Sequence, residues 1–307
     1  MSATDKYKSP EAFRRALSDR LRVAARQSPW RLAELQRQVG YDRLLARLYS
    51  IDGGWVVKGA TALLARKLAV RASLDVDLYR AAALEVAESD IRRAVAVDLS
   101  DWFSFELRTT AALKHGISRF GVTARIGRTP WTSFHIDLAG GNVEMTALPE
   151  TALPVADGMI PEVVQVGYRV YPLVDHVADK AAATYERHGE ADLPSTRYKD
   201  LVDLVAIVQK APIEADAQAK ALRSEYKRRG LALPERFDVP SGPLWGPGYA
   251  AEAKKSRLKE APTLDSALDI VRPFLDPLLR GTARGAWSPA DQSWIGEPGE
   301  IRGGRSR

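Results

Sequence analysis

Apolar residues recur along this chain at two spacings, and the changes of spacing divide it. Phe13, Leu17, Leu21 and Val23, then Leu32, Leu35, Val39, Leu44, Leu45 and Leu48, fall mostly three or four apart, the period of an amphipathic helix. Residues 9–50 are therefore read as helical, with Ser9-Pro10 as cap and first helical position and the apolar stripes packed against a sheet. From residue 55 the pattern shortens. Trp55-Val56-Val57 is a β-branched and aromatic run that reads as a strand end, residues 84–99 as a helix and 103–107 as a short strand. Residues 119–127 and 131–138 alternate as paired strands joined by a turn at 127–130. Residues 142–170, with Pro149, Pro154 and Pro161, predict an irregular surface path ending in a strand at 163–170. Helical spacing returns at 174–188, 196–210, 211–229 and 264–279, while the Pro- and Gly-rich stretch 234–248 reads as a loop pinned by Trp245. The final IRGGRSR has the composition of a disordered end.

Composition narrows the possible functions. The chain has 307 residues, 45% of them hydrophobic, enough for a large core in one or two lobes. It contains no cysteine, which excludes disulfides and thiol catalysis. The polar start MSATDKYKSPEAF lacks an apolar signal core and no run is long enough to span a bilayer, so the expected location is cytoplasmic and no membrane partner is expected. A net charge of +6 gives a field that favours a polyanion such as nucleic acid.

The candidate chemistry lies in Lys58 to Tyr79, KGATALLARKLAVRASLDVDLY. Gly59 and Ala60 permit a sharp turn after the strand, and Thr61 is read as the N-cap of a helix carrying Leu63, Leu64 and Leu68. A helix start with exposed N–H groups is an anion site, and Gly59 puts no side chain in the way. In a strand, residues two apart share a face, so Asp75 and Asp77 project together while Val76 and Leu78 turn to the core. Paired carboxylates facing a phosphate site suggest Mg²⁺ and phosphoryl chemistry; the plain alternative is a capped helix beside the solvated face of an edge strand. Asp137 sits between Ile136 and Leu138 as Asp77 sits between Val76 and Leu78, and also reads as a strand-end residue turning into Gly140-Gly141. Lys180 stands among Ala178, Ala181, Ala182 and Ala183, and Asp200 and Asp203 share a helix face in the run KDLVDL after it.

This order resembles the nucleotidyltransferase superfamily with the DNA polymerase β-like fold. Within it, K-G-[GA]-T-A-L followed by S-x-D-x-D is similar to the AbiEii/AbiGii toxin family, including the MenT toxins of toxin–antitoxin systems. Ala60 departs from the usual second Gly or Ser, so a hydroxyl contact to the triphosphate falls to Thr61, and the segment before Asp75 is long for the pattern. The family follows its acidic strands with a K-x-x-A helix and a basic residue before D-x-x-D-L; here these are Lys180, Ala183 and Lys199, where Arg is commoner.

The resemblance implies an α+β, bilobed nucleotidyltransferase fold. Its expected parts are a mixed-sheet lobe with N-terminal helices over 1–160, a mainly helical lobe over 161–285 and a flexible tail over 286–307. It implies two Mg²⁺ ions held by Asp75, Asp77 and Asp137, and a nucleoside triphosphate bound by Lys58, Gly59, Ala60, Thr61, Lys180 and Asp203. Asp200 or Asp203 would orient Lys180. The implied activity is that of a toxin transferring a nucleotide to an RNA 3′ end, with tRNA as the expected acceptor, translation blocked and a cognate antitoxin as partner. Ser73 matches a serine that the partner phosphorylates in some MenT-like toxins, although it also reads as a turn residue. The four histidines receive no role. Two other classes remain open: a nucleotidyltransferase acting on a small molecule such as an aminoglycoside or on a protein side chain, and an inactive nucleic-acid-binding module on the same fold.

Overall fold

The structure, a computed structural model, describes residues 3–113, 117–141 and 143–296. The chain forms two compact units, 1–144 with 148–171, and 145–147 with 172–307. The change of lobe expected at 160 falls at 171, with 145–147 also in the second unit.

In the first unit a short helix α1 (Ala3–Lys6) precedes α2 (Pro10–Gln27) and α3 (Leu32–Ile51). The Ser9 hydroxyl caps α2 by accepting from the Ala12 N–H, and the Glu34 carboxylate accepts the Arg31 N–H at the start of α3. Phe13, Leu17 and Leu21 of α2, with Leu35, Val39, Leu44, Leu45 and Leu48 of α3, are buried in one apolar cluster with the sheet. Each such side chain contributes about 1.5–3 kcal/mol of burial energy. Gly40 permits the close approach, since a Cβ there would lie 2.9 Å from Thr132 Cγ2.

After β1 (Trp55–Lys58) come α4 (Gly59–Ala65), β2 (Asp75–Arg80), α5 (Leu84–Val95), β3 (Phe103–Leu113), β4 (Ile117–Ile126), β5 (Thr129–Ala139), β6 (Glu150–Ala152) and β7 (Tyr168–Val170). The strands form one mixed sheet in the order β3-β4-β5-β2-β1-β7-β6. β2 lies at its middle, antiparallel to β1 and parallel to β5. The helix expected to reach Leu68 stops at Ala65, with Lys67 at φ 60°, so the surplus residues before Asp75 are loop. The strand expected over 163–170 is limited to Tyr168–Val170. Asp42 of α3, buried, accepts the N–H groups of Val155 and Ala156 and the Tyr168 hydroxyl, which fixes the proline-rich segment.

The second unit contains α6 (Leu173–Ala183), a β8 (Arg187–His188) and β9 (Leu193–Pro194) pair, α7 (Tyr198–Val208), β10 (Ile213–Glu214), α8 (Ala215–Arg228), α9 (Gly242–Lys255) and α10 (Leu264–Leu279). β11 (Ala286–Ser288) and β12 (Ser293–Ile295) complete a three-stranded sheet with β10. Residues 234–248 do not stay a loop: from Gly242 they enter α9, with Pro243 in the first turn and Pro247 inside the helix. Tertiary contact overrides propensity here. The Trp245 ring is buried 5.0 Å from that of Tyr198, its Nε1–H donates to Ser195 O, and a Cβ on Gly248 would meet the Tyr198 ring at 2.3 Å. Part of the expected flexible tail is also ordered, because Trp287 is buried and donates its indole N–H to Val208 O. Residues 297–307, which include the IRGGRSR end, lie outside the described residues.

Candidate active site

The alternation of β2 places Val76 and Leu78 in the core and leaves Asp75 and Asp77 half-open on the other face. Pairing then sets the neighbours. Asp77 is in register with Lys58 of β1 on one side and with Asp137 of β5 on the other, and Asp137 faces Arg119 of β4. Four adjacent strands thus carry a row Lys58, Asp77, Asp137, Arg119, with neighbours about 4.8 Å apart along the sheet. Two carboxylates directly opposite each other repel, and the cations at both ends of the row offset that cost. Asp75 lies one step along the same face, paired with His135, whose Nδ1 is 3.4 Å from Asp75 Oδ1.

Arg119 makes the strongest contact in the row. Its Nε and Nη2 donate to the two oxygens of Asp137 at 2.6 Å each, and Nη2 is also 3.7 Å from Asp75 Oδ1. The hydrogen bond to Asp137, with the nearby charges of Asp137, Asp75 and Asp77, holds the guanidinium proton above its ordinary affinity. The Lys58 ammonium lies 4.3 Å from the centre of the Tyr171 ring. Arg119 had no place in the sequence reading.

The turn between β1 and α4 depends on Gly59. Its φ is +57°, and a Cβ would lie 1.8 Å from Asp77 Oδ2, so the backbone there packs directly against the carboxylate. Ala60 and Thr61 follow inside the helix and are buried. Lys58, rather than Thr61, occupies the N-cap position, and the Thr61 hydroxyl donates to Asp75 O at 3.2 Å. The Thr61 hydroxyl thus braces β2. Ser73 braces the same strand, donating from its hydroxyl to Asp75 O and accepting the Asp75 N–H, while its own carbonyl accepts from Tyr41 and Arg37.

Three carboxylates on one face are hard oxygen donors suited to Mg²⁺. In the present side-chain arrangement, no three Asp, Glu or His groups among the described residues stand close enough together to hold an ion. The donor chemistry fits and the half-open face admits a ligand; the Arg119 guanidinium, lying between Asp137 and Asp75, is the group that would have to give way.

In the second unit, Lys180, Asp200 and Asp203 come together as their order suggests. The buried Lys180 ammonium donates to Asp200 Oδ1 at 2.8 Å and Asp203 Oδ2 at 2.7 Å. Burial alone would raise the Asp200 pKa, but Lys180 and Arg197 outweigh it and hold the carboxyl below the usual range. Arg197 adds a second cation to this cluster, its Nε donating to Asp200 Oδ2, and both Arg197 and Lys199 are exposed.

A search among curated proteins finds no match. Among solved structures, the nucleotidyltransferase toxin MenT4 from Mycobacterium tuberculosis is similar at TM-score 0.48 and 17% identity, covering 66% of this chain and 68% of its own. JHP933 from Helicobacter pylori is similar at TM-score 0.46 and 14% identity, covering 80% of this chain and 92% of its own. The family profile described as nucleotidyl transferase AbiEii toxin, type IV toxin–antitoxin system, matches residues 43–280, a span that contains every candidate residue above. The chain belongs to the AbiEii family of nucleotidyltransferase toxins.

Proposed function

We propose that this enzyme transfers a nucleoside monophosphate from a nucleoside triphosphate to the 3′ end of an RNA, with tRNA the expected acceptor, in a divalent-metal-dependent reaction that blocks translation and that a cognate antitoxin counters. The observation that carries the proposal is the register of β1, β2 and β5, which sets Asp77 opposite Asp137 with Asp75 on the same face, beside a turn that only glycine can make. Asp75, Asp77 and Asp137 would hold Mg²⁺, which would neutralise phosphate charge and activate the attacking hydroxyl.

In the transfer, the acceptor oxygen bonds to the α-phosphorus as the bond to the pyrophosphate oxygen breaks. The hydroxyl proton passes to solvent and pyrophosphate leaves. This chain's part is positional. Gly59 lets the Asp77 carboxylate pack against the turn, and Thr61, Ser73 and Tyr41 lock the strand that presents Asp75. We assign the triphosphate's cation to Lys180 on the order of its motif; within the second unit its buried ammonium is held by Asp200 and Asp203. A phosphate on Ser73 would remove the hydroxyl donation to Asp75 O and add about −1.5 to −2 charge beside the carboxylates, a means by which a partner could silence the site. A polyanionic acceptor accords with the net charge of +6.

The test is incubation with each labelled nucleoside triphosphate, Mg²⁺ and total RNA. Label should enter tRNA-sized RNA, and Asp77→Ala should reduce transfer at least about a hundredfold. Label confined to protein or to a small molecule would replace the acceptor, and undiminished transfer by Asp77→Ala would remove the carboxylate assignment.

A further inference from the structure

The row across the sheet ends in a group that the proposed reaction does not yet use. Arg119 spends its fork on both oxygens of Asp137 and its Nη2 also lies 3.7 Å from Asp75, so one guanidinium is ion-paired with two of the three carboxylates. Its side chain is 35% exposed, so the head can swing away without opening the core. A guanidinium fork matches phosphate oxygens as well as it matches a carboxylate.

We propose that Arg119 is a resident counter-cation that competes with divalent metal for Asp137 and Asp75, and that an arriving triphosphate draws its guanidinium onto phosphate oxygens. The inference rests on the metal reading above and adds a consequence: metal and nucleotide bind with positive coupling, because the phosphates give Arg119 a partner in exchange for the carboxylate it releases. Coupling of this kind is reciprocal. The competing view makes Arg119 an outer partner that orients Asp137 for the metal. Loss of such a partner weakens metal binding about 10–100-fold, the opposite sign.

Direct Mn²⁺ binding, followed by the electron spin resonance of the free ion, separates the two. Without nucleotide, Arg119→Gln should tighten Mn²⁺ binding about tenfold, the order expected from removing one partly screened charge. Arg119→Lys, which keeps the charge, should stay near wild type and covers the case in which the Gln variant folds poorly. A non-hydrolysable triphosphate analogue should tighten Mn²⁺ binding in the wild type and do so less in Arg119→Gln, whose KM for nucleotide should rise. Unchanged or weaker Mn²⁺ binding by Arg119→Gln would overturn the competition. Failure of the metal reading gives a different signature: adding Asp77→Asn to Arg119→Gln would then leave Mn²⁺ binding unaltered, whereas a true ligand set loses it.

Discussion

At Gly59 two demands coincide. A residue with φ +57° costs any side chain roughly 1–2 kcal/mol, and a Cβ at this position would also collide with Asp77 Oδ2. Gly59→Ala should therefore lower stability by about that amount and reduce transfer much more, since relief of the clash displaces a carboxylate that the chemistry uses. Thermal melting alongside single-turnover transfer checks this; a variant that melts early but transfers at the wild-type rate would show that the Asp77 position is not critical. Single residues also mark the limit of motif reading. Asp75, Asp77 and Gly59 were visible because a strand period and a positive-φ turn leave local marks. Arg119 was hidden by a register. Across the turn, Ile126 pairs with Thr129, and unbroken counting would bring Ser118, not Arg119, opposite Asp137. A bulge at Trp131 shifts the pairing by one residue, and a one-residue shift changes the face. The signal was present: Phe120 and Ile136 can both be buried in one pair only if the strands slip.

Among the elements, those with strong periodicity were readable and those made by packing were not. α2, β4 and β5 carry their burial pattern in sequence, and α3 does so only in part, since Asp42, Arg43 and Arg47 are buried in it as well. α9 does not, because Gly and Pro deny it local propensity and the docking of Trp245 and Gly248 against Tyr198 creates it. The proline-rich segment after β5 is likewise held by a tertiary device, the buried Asp42 carboxylate. Burial raises its pKa to about 7, although the bonds from Ala156 and Val155 oppose the shift. The raised folded value makes the native state bind the extra proton between the ordinary carboxylate range and pH 7. The stability contributed by that proton is complete below pH about 4 and is lost as pH rises through about 7. Wild type should accordingly lose melting temperature relative to Asp42→Asn between pH 5 and pH 8. A difference between the two that stays constant over this range would contradict the assignment.

For the whole molecule, charge is the property that composition gave and the structure localises within each unit. In the second unit, Lys220 and Arg223 of α8 and Arg284 after α10 line a recess of about 320 Å³ that also contains Asp216. Three cations against one carboxylate make this recess a candidate for the RNA phosphates of the proposed reaction. Lys220→Glu with Arg223→Glu should weaken RNA binding and lower its salt slope by roughly 1.4, the value for two phosphate contacts on a single strand, with the KM for nucleotide unchanged. Filter binding across salt concentrations measures it; an unaltered slope would place the RNA elsewhere. Among the described residues no helix is long and apolar enough to cross a membrane.

If Asp75, Asp77 and Asp137 form one metal-binding set on neighbouring strands, crystals grown with Mn²⁺ and a non-hydrolysable triphosphate should show an anomalous peak bonded to these three carboxylates, with the phosphates against the Gly59 turn. Ordered nucleotide and manganese bound away from all three would contradict it.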